Sequence, residues 1–415
     1  MSSKSVLRAY QVEGVERLIQ ITERRHAALL ADEPGLGKTI QVAEFINQTC
    51  PRKVIIVCPA SLRLNWRNEL SSWLRYIPED LTVVSYEAVA SGKFNKAQFD
   101  LAVFDEAHYL KNPSAKRTKA CLKLDASTRL FLTGTPVVNR PIDIFPILQS
   151  CGMKLTKKEF GKRYCDGKLV TICWRPRKYA WDFSGASNVE ELNASLRKHL
   201  MVRRTKREVL TELPRKIRQV VELADRTLPE NDGLVKAMFS GFTSAAAHVS
   251  SSEHIAFDEL SAARLELARA KLPDVIAFAT DLLEEEPKLV IFAHHREIIE
   301  ALAGHFGECA VRLYGGMTDK QKNAAVEAFQ HGDKKIFVGQ ISAAGTGLTL
   351  TAARTILFAE LDWVPGNIIQ CEDRCHRMGQ TEAVRIFHLT AAGSTDAKMI
   401  HALVEKQKII EAVTA

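Results

Sequence analysis

Residues 27–48 read AALLADEPGLGKTIQVAEFINQ. A short apolar run comes first, a polar loop with two glycines follows, and a helical pattern begins directly after it. That strand–loop–helix order is what a phosphate loop needs. Gly35 and Gly37 can take backbone angles closed to other residues, which lets amide N–H groups converge on phosphate oxygens. Lys38 would place its ammonium against the outer phosphates, and the Thr39 hydroxyl would bind Mg²⁺. The helix N-terminus adds its partial positive charge. The usual pattern has a glycine five residues before the Gly-Lys pair, and here Asp32 stands in that place. Taken alone, the segment could still be read as a surface turn.

The second half of such a site is an acidic pair at the end of another strand. Residues 105–108, DEAH, directly follow the apolar run LAVF at 101–104. Asp105 at the strand terminus can hold Mg²⁺ through water, and Glu106 can orient and polarise an attacking water. A lone DEAH is weak, because acidic helix starts are common. After an apolar strand and downstream of GLGKT it points to nucleotide hydrolysis.

Working outward, apolar strand-like runs alternate with helical stretches in two regions. The first holds residues 54–58, 81–86, 101–105 and 129–133, and the second holds 288–293, 335–338, 355–358 and 384–389. Strands separated by helical patterns imply βαβ units and parallel sheets. The expected fold is α/β, with two lobes each built on a parallel sheet flanked by helices, and helical insertions between them. Residues 1–205 are expected to form the first lobe with a helical protrusion. Residues 206–270 would be a basic linker and protrusion, and 271–415 the second lobe. From about 151 to 270 strand-like runs thin out and charge rises. Residues 154–178 and 197–218 each hold nine basic residues against two acidic. Such runs read either as solvated helical surface or as a face turned to nucleic acid.

The chain has 415 residues, 46% of them hydrophobic and 26% charged, which excludes a disordered chain, a collagen and a porin-like barrel. The net charge of +8 fits a polyanion partner without demanding one. Nine cysteines without paired close spacing read as reduced thiols, and no secretory signal or membrane span is visible. Cys371, Cys375 and His376, like His294 and His295, suggest a metal only superficially. They read as ordinary helix and loop positions. Trp66 and Trp73 read as core, and Trp363 as packing or a lobe contact.

Hydrolysis also needs charge neutralisation on the terminal phosphoryl group. Residues 370–380, QCEDRCHRMGQ, carry Arg374 and Arg377, three apart and so on one face if helical. They suit a grip on phosphate. The alternative is a surface ion pair with Glu372 or Asp373.

The order of these elements resembles the superfamily 2 helicase-like ATPases of the SWI/SNF type across nearly the whole chain. The matching stretches are 7–18 (LRAYQVEGVERL), ADEPGLGKT, 54–66 (VIIVCPASLRLNW), 104–112 (FDEAHYLKN), 132–136 (LTGTP), 290–299, 314–329, 341–353 (ISAAGTGLTLTAA) and QCEDRCHRMGQ. Segments such as FGKRYCDGK, WDFSGASN and VRRTKREVLTELPRK are most similar to the annealing-helicase branch, which remodels replication forks.

The resemblance implies two RecA-like lobes, ATP and Mg²⁺ as cofactors, and duplex or forked DNA as partner, held mainly by its phosphates. It implies Gln11 as adenine reader, Thr133 and Thr135 as couplers, and Arg374 and Arg377 as the γ-phosphate arginines. Ser61, Thr346 and Gly347 would lie near nucleic acid or the lobe interface, with Gly345 and Gly347 allowing close approach to phosphate. It raises the nucleic-acid reading of the basic middle segment, including Arg203, Arg204 and Lys206. The expected activity is a DNA-dependent ATPase that translocates on duplex DNA as a monomer and extends to remodelling or annealing forks. The rivals are a strand-separating DNA or RNA helicase and an ATP-gated DNA clamp with little turnover. The lack of accessory modules in the sequence suggests a bacterial or viral, cytoplasmic protein, or a nuclear one if eukaryotic.

Overall fold

The computed structural model describes residues 7–134, 136, 140–174, 177–210, 212–223, 251–344, 348–362, 364–391, 394 and 400. Thr135, Gly345, Thr346, Gly347 and Trp363 lie outside the described residues. The described chain divides into two compact units. The first runs to Lys168 and resumes from Gly185 to 210. The second holds 169–184 and the chain from Glu212 onward.

The first unit carries a six-stranded parallel sheet. Its strands are β1 (Ala27–Leu30), β2 (Lys53–Cys58), β3 (Asp80–Ser85), β4 (Gln98–Asp105), β5 (Asp125–Leu132) and, later in the chain, β8 (Met201–Val202). The spatial order is β3-β2-β4-β5-β1-β8. Continuous apolar runs make these strands, because a parallel sheet covered on both faces leaves no solvent side for alternation. β1 is buried at all four positions and β2 at five of six. Helices α1 (Ala9–Arg25), α2 (Lys38–Thr49) and α3 (Arg63–Trp73) pack on it. Their contribution to the core includes Val15, Leu18, Val42, Phe45, Trp66 and Leu70.

The hairpin β6 (Lys168–Trp174) and β7 (Arg177–Asp182) forms a separate two-stranded sheet. The second unit's main sheet has β9 (Lys216–Leu223), β10 (Leu289–Ala293), β11 (Ala310–Leu313), β12 (Ile336–Gln340), β13 (Thr355–Phe358) and β14 (Val384–Ala391). Its order is β11-β12-β10-β13-β14-β9, again parallel throughout. β10 is buried at all five positions.

The stretch between the sheets departs from the sequence reading. Residues 151–270 contain the β6–β7 hairpin, the short β8 and the eight-residue β9. β9 lies in the segment expected to be a basic linker, yet it completes the second sheet, pairing with β14 from Lys216↔Val384 to Leu223↔Ala391. Its exposed, charge-rich face hid the strand, because an edge strand need not be apolar on both sides. Among the described residues no helix is long and apolar enough to cross a membrane.

Candidate active site

β1 and β4 lie two places apart in a parallel sheet, separated by β5, so their C-terminal ends open on the same edge. Ligands in such sheets bind outside the carboxyl ends of the strands. The phosphate loop leaves β1 there, and Asp105 ends β4 there. Within the loop Gly35 has φ 91° and Gly37 φ 78°, the left-handed region open to glycine at little cost. A side chain at Gly37 would also strike Gln11: an added Cβ would lie 2.5 Å from its Nε2. α2 starts at Lys38 with Gly37 as its cap, so the free N–H groups of its first turn point into the loop. Thr39 sits in that first turn.

Lys38 Nζ donates to the main-chain oxygen of Asp32 at 2.8 Å and of Glu33 at 3.5 Å. Burial pushes its pKa below the ordinary lysine value, opposed by the negative charges of Glu106, Asp32 and Asp105. Lysine and carboxylates thus share one electrostatic environment. Asp105 is held from three sides. Its Oδ2 accepts from Trp66 Nε1 at 2.7 Å, and its Oδ1 accepts from the Glu106 N–H at 2.9 Å. Its main-chain oxygen accepts from Tyr86 Oη at 2.7 Å. Burial, and then the Glu106 charge, push the Asp105 pKa up to about 6.

Glu106 adopts a left-handed backbone, φ 50° and ψ 51°, unusual for a residue with a side chain. Its carboxylate lies 3.3 Å from His108 Nδ1, and that nitrogen lies 3.4 Å from Thr133 Oγ1. The DEAH segment and the LTG segment are thereby joined by one imidazole. A buried and a half-buried carboxylate that repel each other, close to a threonine hydroxyl, are a donor set that suits Mg²⁺. Asp105 and Thr39 are the residues that would hold it.

Gln11 is buried; its Nε2 donates to Leu36 O at 3.2 Å, and the Tyr10 hydroxyl donates to the same oxygen at 3.2 Å. Ser61 lies in the short turn Ala60–Leu62 after β2, on this same strand-end edge. A surface cavity of about 600 Å³, lined in part by His26, Arg52, Asp100 and Thr128, lies at the opposite ends of these strands and contains none of the site residues.

Asp32, the departure from the usual glycine, is fully buried. Its Oδ1 accepts from the Arg204 N–H at 2.9 Å and from Arg204 Nε at 3.0 Å. Its Oδ2 accepts from Gln41 Nε2 at 2.9 Å and pairs with Arg204 Nη2. Arg204 also donates to Gln41 Oε1 at 2.7 Å and to Tyr10 O, and lies 5.4 Å from the Tyr10 ring centre. Gly14 of α1 leaves room for it, since a Cβ there would come within 2.4 Å of Arg204 Nη2. Arg203 Nη1 donates to Ala31 O at 2.6 Å and Gly134 O at 3.4 Å, while Lys206 is 4% exposed and its N–H donates to Glu33 Oε2 at 2.8 Å. The three basic residues expected at nucleic acid thus contact residues 31–33 at the start of the phosphate loop, with Lys206 buried and Arg203 and Arg204 half-buried. Sequence alone left the run open between solvated surface and nucleic-acid face because it does not show that Asp32 and Glu33 lie within reach of it.

In the second unit the arginine helix, Pro365–Cys375, ends at Cys375. Arg374 lies in its last turn and Arg377 lies in the turn beyond, so the shared helix face expected from their spacing is not what relates them. They converge instead on one carbonyl: Leu348 O accepts from Arg374 Nη1 at 3.4 Å and from Arg377 Nη1 at 3.1 Å. Arg377 Nη1 also donates to Thr349 Oγ1 at 2.9 Å. Glu372 and Asp373 pair with Lys216 and Arg218. His295 Nδ1 lies 2.6 Å from Glu360 Oε1, and Cys371 and Cys375 pack in the core.

Trp66 is in the core as expected, but its bond to Asp105 was not foreseen, nor were the contacts of Tyr86 and His108 or the Asp32–Arg204 pair. For Trp66 a usable signal existed, because a buried indole N–H needs an acceptor. For Asp32, a buried acid requires a cation.

A model of the SNF2-related domain matches residues 10–99 and 79–227, and one of the helicase conserved C-terminal domain matches 270–379. The chain belongs to the SNF2-related family. Its two parallel-sheet units are the RecA-like lobes of that family. It is 33% identical to the Xenopus tropicalis SWI/SNF-related matrix-associated actin-dependent regulator of chromatin subfamily A-like protein 1, over 98% of this chain and 45% of that protein. It is 31% identical to the human DNA annealing helicase and endonuclease ZRANB3, over 98% of this chain and 40% of that protein. The chain thus spans less than half the length of these relatives. The Sulfolobus solfataricus SWI2/SNF2 ATPase core in complex with dsDNA is similar at 22% identity and a TM-score of 0.47, over 99% of this chain and 93% of that one. The relatives named are animal proteins and lend no support to a bacterial or viral source.

Proposed function

We propose that this protein hydrolyses ATP in response to DNA and uses the cycle to move along duplex DNA, with forked DNA as the substrate to be remodelled or annealed. The observation that carries the reading is the meeting of Lys38, Asp105 and Glu106 in one electrostatic environment at the strand ends of the first sheet. A lysine at a helix N-terminus binds phosphate, and two carboxylates beside it serve metal and water. Gln11 would trade its contact with Leu36 for the adenine edge. Glu106, held by its left-handed backbone and adjoining His108, would orient the attacking water. Bound Mg²⁺ would draw charge from the phosphate oxygens. Arg374 and Arg377 would supply positive charge to the terminal phosphoryl group. The resemblance to proteins of the annealing-helicase branch supports the forked substrate, and the step from first to second lobe is proposed to fall near residue 211, ahead of β9, rather than at 271.

The test is the rate of ATP hydrolysis with single-stranded DNA, duplex DNA, forked DNA and duplex RNA side by side, with triplex displacement on intact duplex. Stimulation by duplex or forked DNA together with triplex displacement is expected. Strand separation without triplex displacement would replace the translocase by a helicase.

A further inference from the structure

The arginine helix is an unusual piece of interior. Nine of its residues are buried, and they include Glu372, Asp373 and Arg374 in succession. Carboxylates at such depth need partners, and they would otherwise compete with phosphate for the neighbouring guanidinium groups. The partners come from β9. Lys216 and Arg218 are two apart on a strand and so point to one face. Lys216 Nζ lies 3.0 Å from Glu372 Oε2 and 2.8 Å from Asp373 Oδ1. Arg218 grips Glu372 with both prongs, Nε to Oε1 at 2.8 Å and Nη2 to Oε2 at 2.6 Å. One residue beyond the helix, His376 Nε2 lies 2.6 Å from Pro214 O, just before the strand. Burial alone would raise the Glu372 pKa and lower that of Lys216. Opposite charges reverse both shifts, Asp373 and then Glu372 acting on Lys216, and Lys216 and then Arg218 acting on Glu372, so each group is held in its charged form.

β9 is the edge strand of its sheet and is the first element of the second unit's main sheet along the chain. A bidentate clamp on residue 372, a lysine on 373 and a main-chain contact at 376 fix three of the five positions from 372 to 376. Arg374 lies inside that span and Arg377 directly follows it.

We infer that Lys216 and Arg218 are positioning residues for Arg374 and Arg377, fixing through Glu372, Asp373 and His376 the turn that aims both guanidinium groups. The inference rests on the proposed reading in which these arginines act on phosphate. Misplacement by about 1 Å of a group that acts in the transition state lowers turnover by about 100-fold while leaving ground-state binding in place.

The experiment compares steady-state ATP hydrolysis at saturating duplex DNA with nucleotide affinity from a fluorescent ATP analogue. The proteins are wild type, Lys216→Met/Arg218→Met, Lys216→Arg, and the quadruple variant Lys216→Met/Arg218→Met/Glu372→Met/Asp373→Asn. The quadruple variant neutralises both buried carboxylates together with the cations that pair them, so it keeps a folded second unit even where the double variant does not. The expected result for the quadruple variant is a kcat lower by about 10-fold or more, nucleotide affinity within about 2-fold of wild type, and an unchanged melting profile. Lys216→Arg is expected to retain kcat within about 3-fold, since it keeps a positive charge facing both carboxylates. A folded quadruple variant with wild-type kcat overturns the inference, as does a fall in kcat matched by an equal loss of nucleotide affinity. Wild-type protein that shows no DNA-stimulated hydrolysis overturns the functional reading, and this inference with it.

Discussion

Asp105 is a residue the fold would rather have neutral, and that cost can be measured. Its carboxyl pKa rises from an unfolded value near 3.8 to about 6 in the folded protein, first through burial and then through the Glu106 charge. A group that binds protons more tightly when folded favours the folded state at low pH, and that advantage is lost as pH climbs from about 4 to about 6. Above pH 6 the ionised Asp105 penalises folding by roughly two pK units, or about 3 kcal/mol at about 1.4 kcal/mol per unit. The gain open to a neutral replacement is about 1–3 kcal/mol, because the replacement also gives up one of the two N–H bonds that Asp105 accepts.

Asp105→Asn keeps the size, accepts from one of the two N–H donors, and carries no charge. At pH 7.5 it is expected to raise the melting temperature of the first unit by about 3–9 °C, taking about 3 °C per kcal/mol for a domain of this size. At pH 4.5 the gap to wild type should largely close. The same variant should lose ATP hydrolysis by at least about 100-fold, since Asp105 is the proposed ligand of Mg²⁺. Differential scanning calorimetry at the two pH values provides the readout. A variant less stable than wild type at pH 7.5, or equally shifted at both values, would refute the reasoning.

Three further outcomes follow from the same geometry. Glu106→Gln should bind a fluorescent ATP analogue with near-normal affinity yet hydrolyse ATP at least about 100-fold more slowly, and unchanged turnover would remove Glu106 from the mechanism. Arg204→Met should destabilise the first unit by about 3 kcal/mol in urea unfolding by stranding buried Asp32, and adding Asp32→Asn should recover much of the loss, whereas simple additivity would deny the pairing. Neutralising Arg203, Arg204 and Lys206 together should depress basal and DNA-stimulated hydrolysis alike, and selective loss of the stimulated rate would put these side chains at nucleic acid after all.

The strands with continuous apolar runs were legible, as was the order of the phosphate loop and DEAH, because burial on both faces and the chemistry of phosphate each leave a local signature. β8 and β9 were not. The first is two residues long, and the second carries Lys216, Arg218 and Glu222 on an edge strand. Long-range polar pairings were equally hidden. Asp32 and Arg204 are 172 residues apart, as distant in sequence as their bond is short in space. The charge run at 197–218 left solvated surface and nucleic-acid face both open for the same reason, since the partners of Arg203, Arg204, Lys206, Lys216 and Arg218 at 31–33, 372 and 373 are remote in sequence. The spacing of Arg374 and Arg377 misled on a finer scale, because the helix stops between them.

The left-handed turn at Glu106 has an implication for how this protein could drift. A non-glycine residue in that conformation carries about 1 kcal/mol of backbone strain. Asp105 beside it bears an electrostatic penalty of its own. Freed from any need to process nucleotide, a lineage would be expected to gain robustness by replacing both acids, with asparagine or glycine suiting the bend better. Degenerate, catalytically silent descendants of this chain should therefore be recognisable by erosion at these two adjacent positions before the surrounding sheet shows any decay.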